Sequence, residues 1–179
     1  PRNDPTLDET FVCLTKWHRE QVCKSAGVPS LKAVVIPPGI DQPLRSTMKT
    51  PGRLVWCSSP DRGIWHMGPI MDRVVAAVPK AELHITYNFQ EFTQTRRWGS
   101  DEFVLQCGGF LDRSCVKTYG RVLSLPEVHQ IQQSAEVCAY PYDPITPGSD
   151  YFGMAIMECG FFGCALLLGD HEGHPEIYA

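Results

Sequence analysis

The sequence is short of the features that mark a membrane, nucleic-acid or redox protein. No apolar run in its 179 residues approaches a membrane span, and its first residues lack a basic-then-apolar leader pattern. Lys and Arg number 16 against 20 Asp and Glu, with no basic run of the kind that tracks phosphate backbones or anionic lipid. The expectation is a soluble, cytoplasmic chain with no transmembrane segment and no nucleic-acid partner. No G-x-G-x-x-G follows the first candidate strand of either half, which disfavours an NAD-type dinucleotide fold. Internal repeats and low-complexity segments are also missing. Cysteine is plentiful, but C-x-x-C spacing is not: the eight cysteines stand at 13, 23, 57, 107, 115, 138, 159 and 164. Most lie inside apolar runs such as Val12-Cys13-Leu14 and Val137-Cys138-Ala139. They read as small buried hydrophobes in a reducing compartment rather than as a disulfide or zinc framework.

What the chain does have is alternation. Residues 11–14 read as a short buried strand, 15–26 as a helix from Thr15 as cap to Gly27 as stop, and 32–36 as a second strand. A polar stretch from Asp41 to Thr50 looks like a linker. A second alternation then starts: strand 54–57, a tight loop 58–63, and a helix 64–78 that Pro69 should kink or split. Strand 83–87 and an irregular 88–99 follow, then a helix over roughly 100–112 and a strand at 116–118. Ser124-Leu125-Pro126-Glu127 has capping-box spacing and opens a helix to about Ser134. Strand 136–140, helix 151–162 and strand 165–168 complete the series. Strands apolar on both faces, alternating with helices, indicate an α/β fold with a doubly wound parallel sheet. Ligands of such sheets bind beyond the carboxyl ends of the strands. That directs attention to loops 58–63, 120–124, 141–150 and 169–176.

The most telling stretch is Pro147-Gly148-Ser149-Asp150-Tyr151-Phe152-Gly153 running into an apolar helix that carries Glu158. A helix entered through small residues presents unpaired amides and a partial positive charge to an anion. Asp150 and Glu158 are eight residues apart, roughly 12 Å along a helix axis, too far for one acid–base pair. The spacing suits a long ligand with hydroxyls at both ends and phosphates between, which is the shape of a nucleotide-sugar. The residues alone also allow a blander reading, with Asp150 only a cap and Glu158 only a solvated-face carboxylate.

Five segments in order carry a resemblance: Ser58-Ser59-Pro60-Asp61-Arg62-Gly63, Pro79-Lys80-Ala81-Glu82-Leu83-His84-Ile85, Gly120-Arg121-Val122, Asp150-x7-Glu158 and Gly173-His174-Pro175-Glu176-Ile177. Together they resemble the donor-binding domain of the retaining GT-B glycosyltransferases of the large family 4. Thr15-Lys16-Trp17-His18 and Val35-Ile36-Pro37-Pro38-Gly39-Ile40-Asp41 resemble the end of that family's N-terminal domain. The resemblance implies residues 1–41 as the end of an acceptor domain, 42–52 as an interdomain linker and 53–179 as a Rossmann-like nucleotide-sugar domain. On this view the chain is cut at both ends, and the acceptor domain with its active-site histidine would lie before residue 1.

The roles that the resemblance implies are specific. Arg62 would pair with the donor diphosphate, with Ser58 and Ser59 beside it, since a guanidinium fork fits phosphate oxygens. The backbone at Gly120, Arg121 and Val122 would hold the nucleobase. Glu158 would take the ribose diol and Asp150 the sugar hydroxyls, with Gly148, Ser149, Tyr151, Phe152 and Gly153 facing phosphate or sugar. Asp150 and Arg62 are the catalytic candidates. The implied reaction is transfer with retention, the acceptor hydroxyl passing its proton to the departing diphosphate. The protein would hold the substrates together and stabilise charge on the leaving group. The donor would be a UDP-, GDP- or ADP-sugar and the acceptor a glycan, lipid or small molecule, with no cofactor. The chain departs from the family in having Asp rather than Glu at 150 and Pro at 38. Cys57 and Ser58 stand where a second basic residue is common, which leaves Arg53 as a possible substitute. His171, Glu172, His174 and Glu176 suggest zinc, but His-Glu-x-His lacks the i,i+4 spacing of a helical pair, so no metal is expected. Two alternatives stay open: a nucleotide-sugar-binding domain without turnover, and a GT-B nucleotide-sugar epimerase.

Overall fold

The computed structural model describes residues 9–40, 48–88, 105, 107, 109–143, 153–170 and 173–178. They fall into two compact units, one of residues 1–39, 148–153 and 170–179, the other of 40–147 and 154–169.

In the first unit, strands β1 (Phe11–Cys13) and β2 (Ala33–Val35) pair in parallel, Phe11 opposite Ala33 and Cys13 opposite Val35. Helix α1 (Lys16–Ala26) connects them, and Cys13, Val28 and Ala33 form the core with Val22 and Cys23 against it. The helix bounds read from the sequence hold for a physical reason at each end. Thr15 is extended, its hydroxyl accepts from the His18 amide at 2.9 Å, and Gly27 turns the chain out at φ 66°. The next two first-turn amides, Lys16 and Trp17, donate to the two carboxylate oxygens of Glu176, at 2.9 and 3.1 Å. Four orphan amides at a helix start need acceptors, and here side chains meet three of them.

The second unit holds a five-stranded, wholly parallel sheet. Its strands are β3 (Arg53–Trp56), β4 (Glu82–Ile85), β5 (Val116–Thr118), β6 (Val137–Tyr140) and β7 (Ala165–Leu168). Their spatial order is β5-β4-β3-β6-β7, with Val55 opposite both His84 and Cys138. The three central strands are buried along most of their length, whereas β5 and β7 form the edges and are more exposed. The alternating α/β pattern and the doubly wound parallel sheet are therefore as the sequence indicates. Helix α2 (Met67–Ala77) lies between β3 and β4 in sequence, α3 (Leu125–Ser134) between β5 and β6, and α4 (Met154–Phe161) between β6 and β7. Helix α3 packs on β3, α4 packs on β6 and β7, and the two helices pack against each other. Between them and the sheet lies a core of Val55, Ala135, Cys138, Cys159 and Cys164. A short helix, α5 (His174–Tyr178), belongs to the first unit.

Two sequence expectations change. Pro69 neither kinks nor splits a helix. A 3-10 turn, Ile64–His66, precedes it, and α2 starts at Met67, which places Pro69 in the first helical turn. A proline is tolerated there because the amide it lacks has no intrahelical partner. Of the helix expected over 100–112, residues 100–104, 106 and 108 lie outside the described part, Leu105 is helical, and 107 and 109–112 form turns. Residues 41–47 of the expected linker and 89–99 also lie outside it. No described helix is long and apolar enough to cross a membrane.

Replacing Thr15 by Ala should remove the cap of α1 and destabilise the fold by about 1 kcal/mol. The expected observation is a lower urea midpoint with an unchanged slope.

Candidate functional site

The strand order reverses direction between β3 and β6. From β3 the chain steps outward to β4 and β5, then returns to lay β6 on the other side of β3. A crevice opens at such a reversal, beyond the carboxyl ends of the two strands. The loop after β3 carries Ser58, Ser59 and Arg62, and the loop after β6 begins at Pro141. These two loops meet. The Asp143 amide donates to the Arg62 carbonyl at 3.3 Å, and His66 Nε2 lies 2.7 Å from Asp143 Oδ2.

The floor beneath them is aromatic. Trp56 ends β3 and Tyr140 ends β6; both are buried, with ring centroids 5.1 Å apart. Each ring also uses its polar tip on Ser58: Trp56 Nε1 donates to the Ser58 carbonyl at 2.8 Å, and the Tyr140 hydroxyl is 3.0 Å from Ser58 Oγ. Ser59 donates to Asp61, and Pro60–Arg62 form a 3-10 turn. Gly63 then takes φ 101°, and a Cβ there would stand 2.8 Å from the Pro141 carbonyl and 2.9 Å from the Asp143 amide. Only glycine fits both the dihedral and the gap. The backbone of the half-buried Arg62 is thus held at the reversal point of the sheet.

Arg53 stands elsewhere. It opens β3, at the opposite edge of the sheet, where its guanidinium donates to Ser134 Oγ at 2.8 Å. A four-residue strand at about 3.3 Å per residue separates it from the crevice, so it does not supply the second cation considered from the sequence.

Gly120, Arg121 and Val122 follow β5, on the same edge of the sheet as Arg62 but two strands away, a lateral spacing of about 10 Å. Gly120 takes φ 61°, and all three residues are exposed. The Arg121 side chain turns to the start of α3, where its guanidinium meets Glu127, with Nη1 3.2 Å from Oε2. Ser124 donates its amide and its hydroxyl to the same carboxylate, at 2.9 and 2.7 Å, so the capping box read from the sequence is present. The Arg121 guanidinium, followed by the two Ser124 donors, holds the Glu127 carboxyl down at about 2.

Glu158 lies in the second turn of α4 and faces α3 rather than solvent; its side chain is 21 % exposed. Gln132 Nε2 donates to its Oε2 at 3.2 Å, and His129 Nε2 stands 3.8 Å from its Oε1. This answers the solvated-face alternative: the carboxylate is held in a helix–helix seam. Gly148, Ser149, Asp150, Tyr151 and Phe152 lie outside the described residues. Gly153 belongs to the first unit, where its carbonyl accepts from the Tyr178 hydroxyl at 2.8 Å.

Sequence reading missed His66, Asp143, Tyr140, His129 and Gln132. The first two had a usable signal, since both lie in segments that follow the carboxyl ends of β3 and β6. The last two had only i,i+3 spacing on a helix, which marks a shared face without naming what it meets. Among the zinc candidates, Glu176 is occupied by the α1 amides, and His171 and Glu172 lie outside the described part. No group of three or more metal-type ligands occurs among the described residues. A cavity of about 510 Å³ opens at the opposite, amino edge of β4 and β5. Its lining carries both signs of charge, Lys80 and Arg113 with Asp72 and Glu82, and Arg113 pairs with Asp72.

No family model matches the sequence, and no curated protein matches it. Among solved structures, the chain resembles the pneumococcal O-GlcNAc transferase GtfA, determined in complex with UDP and GlcNAc. The TM-score is 0.64 at 16 % identity, over 96 % of this chain. The GtfA/B complex gives a TM-score of 0.56 at 17 % identity over the same share. The likeness is one of fold, and the chain spans about a third of the length of each neighbour, 32 %.

Two predictions follow from the loops. Gly63→Ala should destabilise the fold by about 1–3 kcal/mol, because the methyl meets backbone atoms at a left-handed dihedral; chemical denaturation reads the loss. For Glu127, a carboxyl held down in the fold stabilises it above the ordinary carboxyl range, and that contribution disappears as pH falls toward about 2. Arg121→Ala should move the Glu127 titration upward toward an ordinary carboxyl, as seen by NMR side-chain titration.

Proposed function

We propose that this chain is the donor-binding part of a retaining GT-B glycosyltransferase, using a nucleotide-diphosphate sugar. The observation that carries the reading is the place of Arg62 in the loop after β3, its backbone carbonyl accepting from the Asp143 amide at 3.3 Å, at the reversal point between β3 and β6. That is where an α/β sheet binds its ligand, and a guanidinium there suits a diphosphate. The fold shared with a UDP-binding transferase supports the same class and makes UDP-sugars the first donors to try.

In this proposal residues 1–41 end an acceptor domain, 42–52 link it, and 53–179 bind the donor. Arg62 neutralises the leaving diphosphate, with Ser58 and Ser59 beside it. The backbone at 120–122 holds the base, Glu158 the ribose, and Asp150 the hexose, with the amides of the 148–153 segment toward phosphate or sugar. The acceptor hydroxyl attacks from the face the diphosphate leaves and passes its proton to it. Positioning and electrostatic stabilisation of the leaving group then supply the rate, with no protein nucleophile and no metal.

The test is a thermal-shift series with UDP-, GDP- and ADP-sugars. One base class should raise the melting temperature and the others leave it unchanged. In the full-length enzyme, Arg62→Ala should lower turnover by about a hundred- to a thousandfold. Unchanged turnover removes Arg62 from the site. Binding of a sugar nucleotide without transfer or hydrolysis by the full-length protein selects the binding-only alternative.

A further inference from the structure

We infer that Gln132 and His129 are positioning residues that aim the Glu158 carboxylate at a vicinal diol, and so set the ligand's preference for ribose over 2′-deoxyribose. The inference rests on the nucleotide-sugar reading above and adds two residues that the resemblance does not supply.

Gln132 is fully buried, and its Nε2 divides between Glu158 Oε2 at 3.2 Å and the Ala155 carbonyl at 3.5 Å. Its Oε1 has no hydrogen-bond partner among the described residues. His129, one turn earlier on the same helix face, is 8 % exposed; its Nε2 is buried with no hydrogen bond among the described residues, 3.8 Å from Glu158 Oε1. Its ring packs edge-on against Phe162, with centroids 5.4 Å apart and planes at 63°, which fixes the direction of Nε2.

Packing alone would be served better by Leu at 132, since a buried amide with an unmatched oxygen is a cost. What the amide provides is direction. A carboxylate has about four lone-pair sites on two oxygens. Gln132 takes one on Oε2, and His129 confronts Oε1 from the same helix. The carboxylate is therefore pinned from the α3 side while a fifth of the side chain stays open to solvent. The lone pairs left over can accept from two neighbouring hydroxyls at once. A ligand with only one of those hydroxyls would leave an acceptor unmatched, and sites built this way reject the analogue that lacks the group.

The experiment measures UDP and 2′-deoxy-UDP binding to the intact chain by calorimetry, with GDP or ADP and their 2′-deoxy forms where the thermal-shift series selects that base. The wild-type chain should prefer the ribonucleotide by roughly tenfold or more. Gln132→Met keeps the shape and removes the donor; it should cut that preference to within about threefold while leaving affinity for the 2′-deoxy ligand nearly unchanged. His129→Phe preserves the packing on Phe162 and should reduce the preference less. A wild-type preference retained in both variants overturns the inference and leaves the donor reading standing. Equal weakening of both ligands also overturns it, because that pattern is merely structural. If Gln132→Met does not fold, as circular dichroism would show, an undiminished preference in His129→Phe overturns the inference by itself. A wild-type chain that binds the diphosphates without distinguishing the sugars removes Glu158 from the ribose, and one that binds none of them removes the donor reading itself.

Discussion

Everything at the candidate site depends on how β3 and β6 are held side by side at their carboxyl ends. Trp56 and Tyr140 close both strands with large buried rings, and both rings turn their polar tips onto Ser58. Buried aromatics of this kind satisfy two demands together: they fill the space under the loops and leave no indole N–H or phenol O–H unmatched. With the floor fixed, the next residues have little freedom. The loop after β3 has to turn within a few residues, and Gly63 has to approach the backbone at 141–143, with the Arg62 carbonyl accepting from the Asp143 amide.

The pairing of α3 with α4 plays a comparable part on the flanking layer. Their seam is apolar toward the sheet, where Cys138, Cys159 and Cys164 pack with Val55, and polar farther out, where Gln132 and His129 meet Glu158. A carboxylate in such a seam loses hydration and needs donors, and an amide from the facing helix is a neutral way to supply one. The neutral partner matters: Lys or Arg at 132 would bind the carboxylate more tightly and occupy more of its acceptor capacity.

The sheet and the helix caps were legible because they are local or periodic. Thr15 and Gly27 bound α1, Ser124 and Glu127 open α3, and strands apolar on both faces identify a covered parallel sheet, all from residues a few positions apart. Pro69 was misread for an equally local reason. The same residue breaks a helix interior and suits a first turn, and the 3-10 turn that moved the helix start was not visible in the pattern. For the candidate site, the sequence offered loops and acids by position but not the contacts that hold them. His66 and Asp143 are 77 residues apart, and Gln132 and Glu158 are 26 apart; those distances close through the sheet order and the packing of two helices. Nothing in the spacing of the chain encodes either contact.

The charge of the site follows from direction rather than from composition. The chain is net negative, at −4, and the one cation at the reversal point that the described residues provide from the motif is Arg62. A parallel sheet, however, starts each following helix on the edge where its strands end, so α2, α3 and α4 all begin there. Each start contributes roughly half a positive charge from its unpaired amides. At the start of α3 that charge and Arg121 are already met by Glu127, which takes the guanidinium and both Ser124 donors. The starts of α2 and α4 flank β3 and β6 instead, alongside Arg62. An acidic protein of this topology therefore gathers positive backbone charge at the centre of one edge of the sheet, while the start of α3 on the same edge is already neutralised by its own carboxylate.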